Sequence, residues 1–103
     1  MTTNNTLIYS EKSNGVAEIT LNRPEIRNAF DSQLIQKLIS TFKQAESSPS
    51  VRIILLKANG KHFSAGADLN WMRGMAQASY EENYEDAKQL ALLMSTINFI
   101  AKP

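Results

Sequence analysis

Two short segments near the start of the chain are rich in apolar residues and predict strands, and the second alternates apolar and polar residues, which is the pattern of a half-buried strand. They cover residues 7–9 and 16–21. The buried face of the second segment would consist of Ala17, Ile19 and Leu21. Between the segments, Asn14 and Gly15 tolerate positive φ, which favours a tight antiparallel turn. The pattern therefore predicts a β-hairpin that ends before Pro24, a residue without a backbone donor.

The next segment changes to helical spacing, with apolar residues three and four positions apart. Asp31 or Ser32 is suited to cap its start, and residues 47–50 end it. The apolar stripe that would face the core consists of Leu34, Ile35, Leu38, Ile39, Phe42 and Ala45. An aliphatic run from Val51 to Leu56 then predicts a strand buried on both faces. Strand, helix and strand in this order predict a βαβ unit with a right-handed crossover.

Beyond this unit, the sequence predicts a loop over residues 57–68 and a short helix over residues 69–76. Ser79 and Glu82 have the spacing of a capping box, which opens a longer helix. The apolar side of that helix would hold Tyr84, Ala87, Leu90, Ala91, Met94 and Ile97. Because Leu93 and Ile100 widen this side, we expect the long helix to be covered on most of its surface.

The overall composition excludes several classes of function. The 103 residues suffice for one small domain, and 43% hydrophobic with 20% charged residues is typical of a globular chain. A formal net charge of +1 gives no electrostatic reason to expect binding to nucleic acid or to a membrane surface. No cysteine and a single His62 argue against a metal site. The first residues do not resemble a signal peptide, so we expect a cytoplasmic protein.

Residues 62–69 are the part of the sequence best suited to chemistry. They follow a predicted strand, consist largely of small residues and lead into a helix. Small side chains let a ligand approach the backbone, Gly66 permits unusual φ, and unpaired N–H groups at a helix start attract negative charge. Such a segment can hold a developing oxyanion, and it is equally suited to an anion-binding turn or a tight connection. Neither of the glycine-rich phosphate-binding motifs occurs in the chain.

Three segments of the chain carry family signatures. They are Asn22-Arg23-Pro24-Glu25-Ile26-Arg27-Asn28-Ala29-Phe30, Ile53-Ile54-Leu55-Leu56 and Phe63-Ser64-Ala65-Gly66-Ala67-Asp68-Leu69. In order and spacing they resemble successive signatures of the crotonase superfamily, the enoyl-CoA hydratases and isomerases, and the resemblance covers residues 6–103. It implies an α/β fold of crotonase-like ββα repeats (the ClpP/crotonase fold), of which this chain would be the N-terminal portion only. It also implies an acyl-CoA thioester as ligand and no separate cofactor, because coenzyme A is part of the substrate.

The resemblance assigns roles to individual residues. The backbone N–H of Ala65 would be one of two oxyanion-hole donors to the thioester carbonyl. The substrate and its CoA part would contact Arg27, Ala65, Gly66, Ala67, Asp68 and Leu69. Arg27 would bind the CoA phosphates, since a guanidinium binds phosphate bidentately; the alternative is a solvated loop charge. The acyl pocket would include Trp71, Met72 and Met75, for each of which ordinary packing is an equal alternative.

The resemblance also implies groups that these 103 residues do not contain. In the hydratases, the second oxyanion N–H and two acid/base glutamates follow further along the chain. We therefore expect residues 1–103 to be the N-terminal part of a crotonase-like domain whose C-terminal remainder is absent. Glu81, Glu82 and Glu85 match no catalytic motif and are interpreted as a capping and solvated face.

Two functional hypotheses remain open from the sequence. The first is hydration of an α,β-unsaturated acyl-CoA by the full-length protein, where Asn70-Trp71-Met72 is similar to methylglutaconyl-CoA hydratases of leucine breakdown. The second is a truncated, inactive fragment that at most binds CoA or a partner subunit. An RNA-binding role, as in some relatives, is disfavoured by the near-neutral charge. Crotonases usually assemble as homotrimers or hexamers, through C-terminal helices that this chain would lack.

Overall fold

The computed structural model describes residues 6–103 of the chain. These residues form one three-stranded sheet, packed on one face by a helix and followed by two further helices. The elements in chain order are β1 (Leu7–Glu11), β2 (Val16–Leu21), a 3-10 turn (Pro24–Ile26), α1 (Ser32–Ser47), β3 (Ile53–Ala58), α2 (Leu69–Gln77) and α3 (Tyr80–Phe99). The sheet has the order β1-β2-β3.

The predicted hairpin is confirmed. β1 and β2 pair antiparallel, with Leu7 opposite Leu21 and Glu11 opposite Ala17. Gly15 takes φ +89° in the connection, where a residue without Cβ carries no strain. The strand β2 turns its apolar face to the core, since Ala17 and Ile19 are fully buried and Leu21 nearly so.

The helix α1 covers that face of the sheet, as its spacing predicted. Its start is fixed by Asp31, whose carboxylate accepts a hydrogen bond from the backbone N–H of Leu34 at 2.9 Å. All six residues of the predicted stripe are buried: Leu34, Ile35, Leu38, Ile39, Phe42 and Ala45. With β2 they form most of the hydrophobic core, which is what orders the elements around the site.

β3 is a strand, but the prediction that it is buried on both faces is wrong. It pairs parallel with β2, which confirms the βαβ connection, and it lies at the edge of the described sheet. Ile54 and Leu56 pack against the core, whereas Ile53 and Leu55 on the opposite face are 49% and 45% exposed. The reason is that α1 covers one face only, and among residues 6–103 no element covers the other.

The two remaining helices begin where the sequence indicated, but α3 is less covered than predicted. Ser79 and Glu82 form the expected capping box. Leu93 is the one buried residue of α3, while the predicted apolar side is exposed or nearly so at Tyr84, Ala87, Leu90, Ala91, Met94 and Ile97. Apolar residues occur around the whole of α3, so the sequence does not show which side is buried. In the structure α3 contacts α1 along one side, and its other sides remain exposed. Within residues 6–103, no helix combines the length and apolar content that crossing a bilayer requires.

Candidate functional site

The loop of residues 59–68, between β3 and α2, lies against the segment of residues 23–31 that precedes α1. The two run side by side at Phe30 and Ala67, which form a parallel bridge. The N–H of Phe30 donates to the Gly66 carbonyl at 2.7 Å, and the N–H of Asp68 donates to the Phe30 carbonyl at 2.6 Å. Two of the three segments that carry the family signature are therefore in direct contact, although they are far apart in sequence.

The side chain of Asn28 joins these two segments through hydrogen bonds. Its side-chain amide donates to the carbonyls of Asn59 and His62, at 2.8 and 3.0 Å, and its Oδ1 accepts from the Arg23 N–H at 2.6 Å. The residue is fully buried and takes φ +54°, a left-handed conformation that asparagine tolerates better than most residues. Every polar atom of the side chain thus has a partner, as burial demands.

The N–H of Ala65, predicted to be an oxyanion donor, is already used inside the protein. It donates to the Arg27 carbonyl at 2.9 Å. Ser64 adds a second tie, because its hydroxyl donates to the Asn28 carbonyl at 2.9 Å and accepts from the Gly66 N–H at 3.1 Å. In this conformation the Ala65 N–H holds the loop in place, and it is not free to bind a ligand.

The N–H of Ala67 is free where that of Ala65 is not. The neighbouring Gly66 carbonyl and Asp68 N–H both point at Phe30, and alternation along an extended chain turns the Ala67 N–H to the opposite side. Among residues 6–103, no acceptor bonds to it. Ala67 is exposed, and Gly66 takes the positive φ of +93° that the sequence suggested. The loop therefore presents an unpaired backbone donor to the surface at Ala67, next to residues whose N–H groups are bonded.

Ala67, the residue that carries this donor, lines a groove of about 560 Å³ at the start of α2. The groove brings together five of the six predicted substrate-contacting residues, namely Arg27, Ala65, Ala67, Asp68 and Leu69. Gly66 does not line it but shapes the turn between two residues that do. The groove also contains residues that the sequence analysis did not select: Glu25, Ile26, Ala29, Asn70 and Arg73.

The carboxylate of Asp68 is fully engaged. It caps α2 by accepting from the backbone N–H groups of Asn70 and Trp71, at 2.7 and 3.1 Å, which confirms the capping interpretation. It also pairs with the Arg23 guanidinium at 3.3 Å. A carboxylate held by three donors is an anchor for the loop rather than an acceptor for a substrate proton.

The residues predicted for the acyl pocket separate in the structure. Trp71 and Met75 line a second cavity, of about 620 Å³, between α2 and α3, whereas Met72 is half exposed and lines neither cavity. The Trp71 indole N–H donates to Asp86 on α3 at 3.3 Å, so this side chain also ties the helices together. Asn70 lines both cavities, which makes the start of α2 their shared wall.

The glutamates of α3 line this second cavity without forming an acid/base pair. Glu82 completes the capping box with the N-cap Ser79, and the hydrogen bond from the Ser79 backbone N–H lowers the pKa of the Glu82 carboxyl below the ordinary value. A carboxylate with a depressed pKa is a poor proton donor near neutral pH. Glu81 and Glu85 are exposed, and Glu85 lies 3.8 Å from Lys88. These contacts fit the capping and solvated face that the sequence indicated.

Arg23 and Asn28 are the structural residues that sequence reasoning missed. Both lie in the first of the three signature segments, residues 22–30. Their hydrogen-bond partners Asn59, His62 and Asp68 are 31 to 45 positions away in the sequence. Nothing in the local pattern of the sequence identifies such partners. Arg73 had a weak signal, since it follows the groove residue Leu69 by four positions and so shares its face of α2.

Residues 11–102 match the model of the family described as enoyl-CoA hydratase/isomerase. The chain is 36% identical over 89 residues to trans-2-decenoyl-[acyl-carrier-protein] isomerase of Streptococcus mutans, covering 86% of this chain and 33% of that protein. It is 33% identical over 105 residues to 3-hydroxyisobutyryl-CoA hydrolase 1 of Arabidopsis thaliana, covering 90% of this chain and 28% of that protein. A crystal structure of an enoyl-CoA hydratase from Shewanella pealeana superposes with a TM-score of 0.92 at 44% identity, covering 95% of this chain and 37% of the other. The chain thus spans about a third of the length of its relatives.

Proposed function

Because this chain belongs to the enoyl-CoA hydratase/isomerase family, the crotonase superfamily, we propose that it binds an acyl-CoA thioester in the groove at the start of α2 and polarises the thioester carbonyl there. The observation that carries the proposal is that Ala67, which lines that groove, has an unpaired backbone N–H. A fixed backbone donor aimed at a carbonyl oxygen stabilises the negative charge that develops when the thioester becomes an enolate.

Ala67 replaces Ala65 as the proposed oxyanion donor. The Ala65 N–H would have to give up its bond to the Arg27 carbonyl before it could bind a substrate, whereas the Ala67 N–H is available without rearrangement. Preorganised donors are effective because they need no reorganisation when the reaction occurs. One such donor is worth about 10²–10³ in kcat.

Arginines in the groove support coenzyme A as the carrier of the acyl group. Arg27 and Arg73 both line the groove, and both side chains are exposed. A guanidinium binds phosphate through two parallel hydrogen bonds and stays charged at every physiological pH. We assign the phosphates of CoA to Arg27, which lies in the turn whose carbonyl holds Ala65.

For the full-length protein, the reaction that we propose is hydration of an α,β-unsaturated acyl-CoA, with methylglutaconyl-CoA as one candidate substrate. The relatives are named for isomerisation, hydrolysis and hydration, and their names share an acyl group carried on CoA or on acyl carrier protein. This range of reactions favours a family in which the groups that polarise the carbonyl are shared, while the acid/base groups differ from member to member. The groove contains two acidic residues, Asp68 and Glu25, and since the Asp68 carboxylate is engaged, the groove offers no pair of free carboxylates for acid/base work.

The proposal is tested first by binding, which does not depend on acid/base groups. Titration calorimetry with CoA should give weaker binding for Arg27→Ala than for the unaltered protein. Lys43→Ala is the matched control, since it removes the same charge from an exposed position on α1 outside the groove. Equal affinity in all three proteins would remove Arg27 from the CoA site.

Catalysis by the 103 residues themselves separates the two sequence hypotheses. We expect the purified chain to show no hydration of crotonyl-CoA above the uncatalysed rate while it still binds CoA. Hydration by a sample free of contaminating hydratase would show instead that the acid/base groups lie within these residues. If the chain neither binds CoA nor hydrates crotonyl-CoA, the hypothesis of an inactive fragment that binds CoA is also wrong.

A further inference from the structure

One arginine side chain connects the starts of two helices next to the groove. The Arg23 guanidinium lies 3.1 Å from an oxygen of Asp31 and 3.3 Å from an oxygen of Asp68, and it donates to the Ala29 carbonyl at 2.9 Å. The side chains are shielded from solvent, with exposures of 15% for Arg23, 29% for Asp31 and 13% for Asp68. Shielding makes such ion pairs stronger and less sensitive to salt than surface pairs.

Both carboxylates bonded to Arg23 are helix N-caps. Asp31 caps α1 through the Leu34 N–H, and Asp68 caps α2 through the Asn70 and Trp71 N–H groups. The guanidinium therefore links the start of α1 to the start of α2. Its planar fork can bond two carboxylates and a carbonyl at once, which a lysine ammonium on a flexible stem does less well.

Ala67 lies directly between the groups that this arrangement holds. On one side, the Gly66 carbonyl bonds to the Phe30 N–H, and on the other, the Asp68 N–H bonds to the Phe30 carbonyl. The Arg23–Asp68 pair adds a side-chain tie at the C-terminal side of Ala67, so the direction of the Ala67 N–H is constrained from both sides. Loss of the pair would leave the Asp68 carboxylate held by the N–H groups of α2 alone.

The charge of Arg23 has a second effect on the same position. The carboxylate of Asp68 belongs to the residue next to the proposed oxyanion donor, and its negative charge would oppose a developing oxyanion. The guanidinium beside Asp68 offsets that charge, while the carboxylate continues to cap α2.

We propose that Arg23 is a positioning residue, which sets the direction of the Ala67 N–H by clamping the two helix caps and compensates the charge of Asp68. The clamping holds for the loop whatever ligand it binds, whereas the consequence for a thioester carbonyl rests on the proposed function. Arg23 itself does not line the groove, so its effect on a substrate would pass through Asp68 and Ala67.

The clamp is tested by hydrogen exchange of single amides, measured by nuclear magnetic resonance. In Arg23→Gln, the Asp68 and Phe30 amides should exchange faster by about tenfold or more, while the Ile19 amide in the hairpin keeps its protection. Arg23→Lys should be intermediate. Asp68→Asn retains a good cap but loses the ion pair, so it should reproduce the effect, and combining it with Arg23→Gln should add little. Unchanged protection of the residue 68 amide in both Arg23→Gln and Asp68→Asn would overturn the proposal.

The consequence for the carbonyl is tested separately, with the full protein and bound crotonyl-CoA. Binding to the unaltered protein should lower the infrared frequency of the thioester carbonyl, and Arg23→Gln should reduce this shift more than it weakens binding. If the unaltered protein binds crotonyl-CoA without any shift, the proposed function fails, while the exchange result still decides the clamp. A full shift in Arg23→Gln, together with unchanged exchange, would show that Arg23 has no positioning role.

Discussion

At the scale of single residues, the unpaired donor of the groove depends on neighbours that have no chemistry of their own. Asn28 bonds to the loop through two carbonyls, Ser64 and Ala65 bond back to residues 27 and 28, and Arg23 fixes Asp68. Each bond removes one way in which the loop could turn. What remains is a segment, residues 65–68, in which the exposed Ala67 N–H has no acceptor within the described part of the chain.

The sequence predicted this residue-scale picture in part. The small-residue segment and the positive φ of Gly66 were predicted from residue types, because glycine is the residue that adopts that conformation without strain. The choice between Ala65 and Ala67 was not predictable in the same way. The choice depends on which N–H groups of the loop bond to Phe30 and Arg27. Those bonds form only when the two segments come into contact in the folded protein.

Asn28 gives the first prediction. Asn28→Ala removes a fully buried amide with three hydrogen bonds, so the free energy of unfolding should fall by about 3 kcal/mol. Asn28→Gly should lose less, because glycine relieves the strain of positive φ. Asn28→Asp should lose most, since it places a carboxylate against two carbonyl oxygens. Urea denaturation measures the free energy of unfolding of all three variants. Equal losses would contradict the conclusion that the hydrogen bonds of the Asn28 side chain join the two segments.

The donor assignment gives a prediction that separates two neighbouring N–H groups. Replacing residue 67 by lactic acid, through semisynthesis of the full protein, turns its amide into an ester and deletes the N–H while adding no bulk. We expect kcat to fall by about 10²–10³, because the deleted N–H is the proposed donor. The deleted N–H has no partner within residues 6–103, so stability should fall only through the weaker bond from the Phe30 N–H to the Gly66 carbonyl, which becomes an ester carbonyl.

The same replacement at residue 65 is the matched control. It deletes an N–H that bonds to the Arg27 carbonyl, so it should lower the free energy of unfolding by about 1 kcal/mol. Its effect on kcat should be smaller than that of the change at residue 67. The opposite order of kcat losses would return the donor role to Ala65.

At the scale of elements, the parts that sequence periodicity predicted well are those with one covered face. The α1 stripe and the apolar face of β2 are buried residue for residue, because a strong period leaves one orientation against the core. β3 and α3 are apolar on more than one side, and a continuous apolar run indicates burial without showing what provides it. That is why the coverage predicted for both elements was wrong within the described structure.

The start of α3 gives a prediction for pH dependence. The hydrogen bond from the Ser79 backbone N–H lowers the pKa of the Glu82 carboxyl below its ordinary value of 4.5. A group whose pKa is depressed in the folded protein contributes its full stabilisation above the unfolded pKa and loses it as pH falls through the folded pKa. Acidification below pH 4.5 should therefore weaken the helix start, and Glu82→Gln should remove part of this dependence.

Circular dichroism at the helix band, recorded as urea denaturation curves at several acidic pH values, measures the effect. Glu81→Gln is the control, because it removes the same charge from the same helical turn without a capping bond. If both variants change the pH dependence equally, the effect comes from the helix dipole and the capping box is not responsible.

At the scale of the whole molecule, the described residues form an elongated body with apolar surface in two places. The radius of gyration is 14.6 Å and the longest extent is 46 Å, whereas a compact domain of this length has a radius near 13 Å. The α3 helix accounts for much of this length, since 20 residues extend about 30 Å. Leu90, Met94 and Ile97 on α3, and Ile53 and Leu55 on β3, are more than a third exposed.

Apolar surface of this kind favours association in water, which gives the last prediction. We expect the 103-residue chain to self-associate with rising concentration, and Met94→Lys to weaken the association by placing a charge on the exposed side of α3. Ser40→Lys adds the same charge to an exposed position on α1 and should leave the association unchanged. Sedimentation velocity across a wide concentration range distinguishes the three proteins. If the unaltered chain stays monomeric throughout, its exposed apolar side chains are too scattered to form an interface, as isolated surface residues usually are.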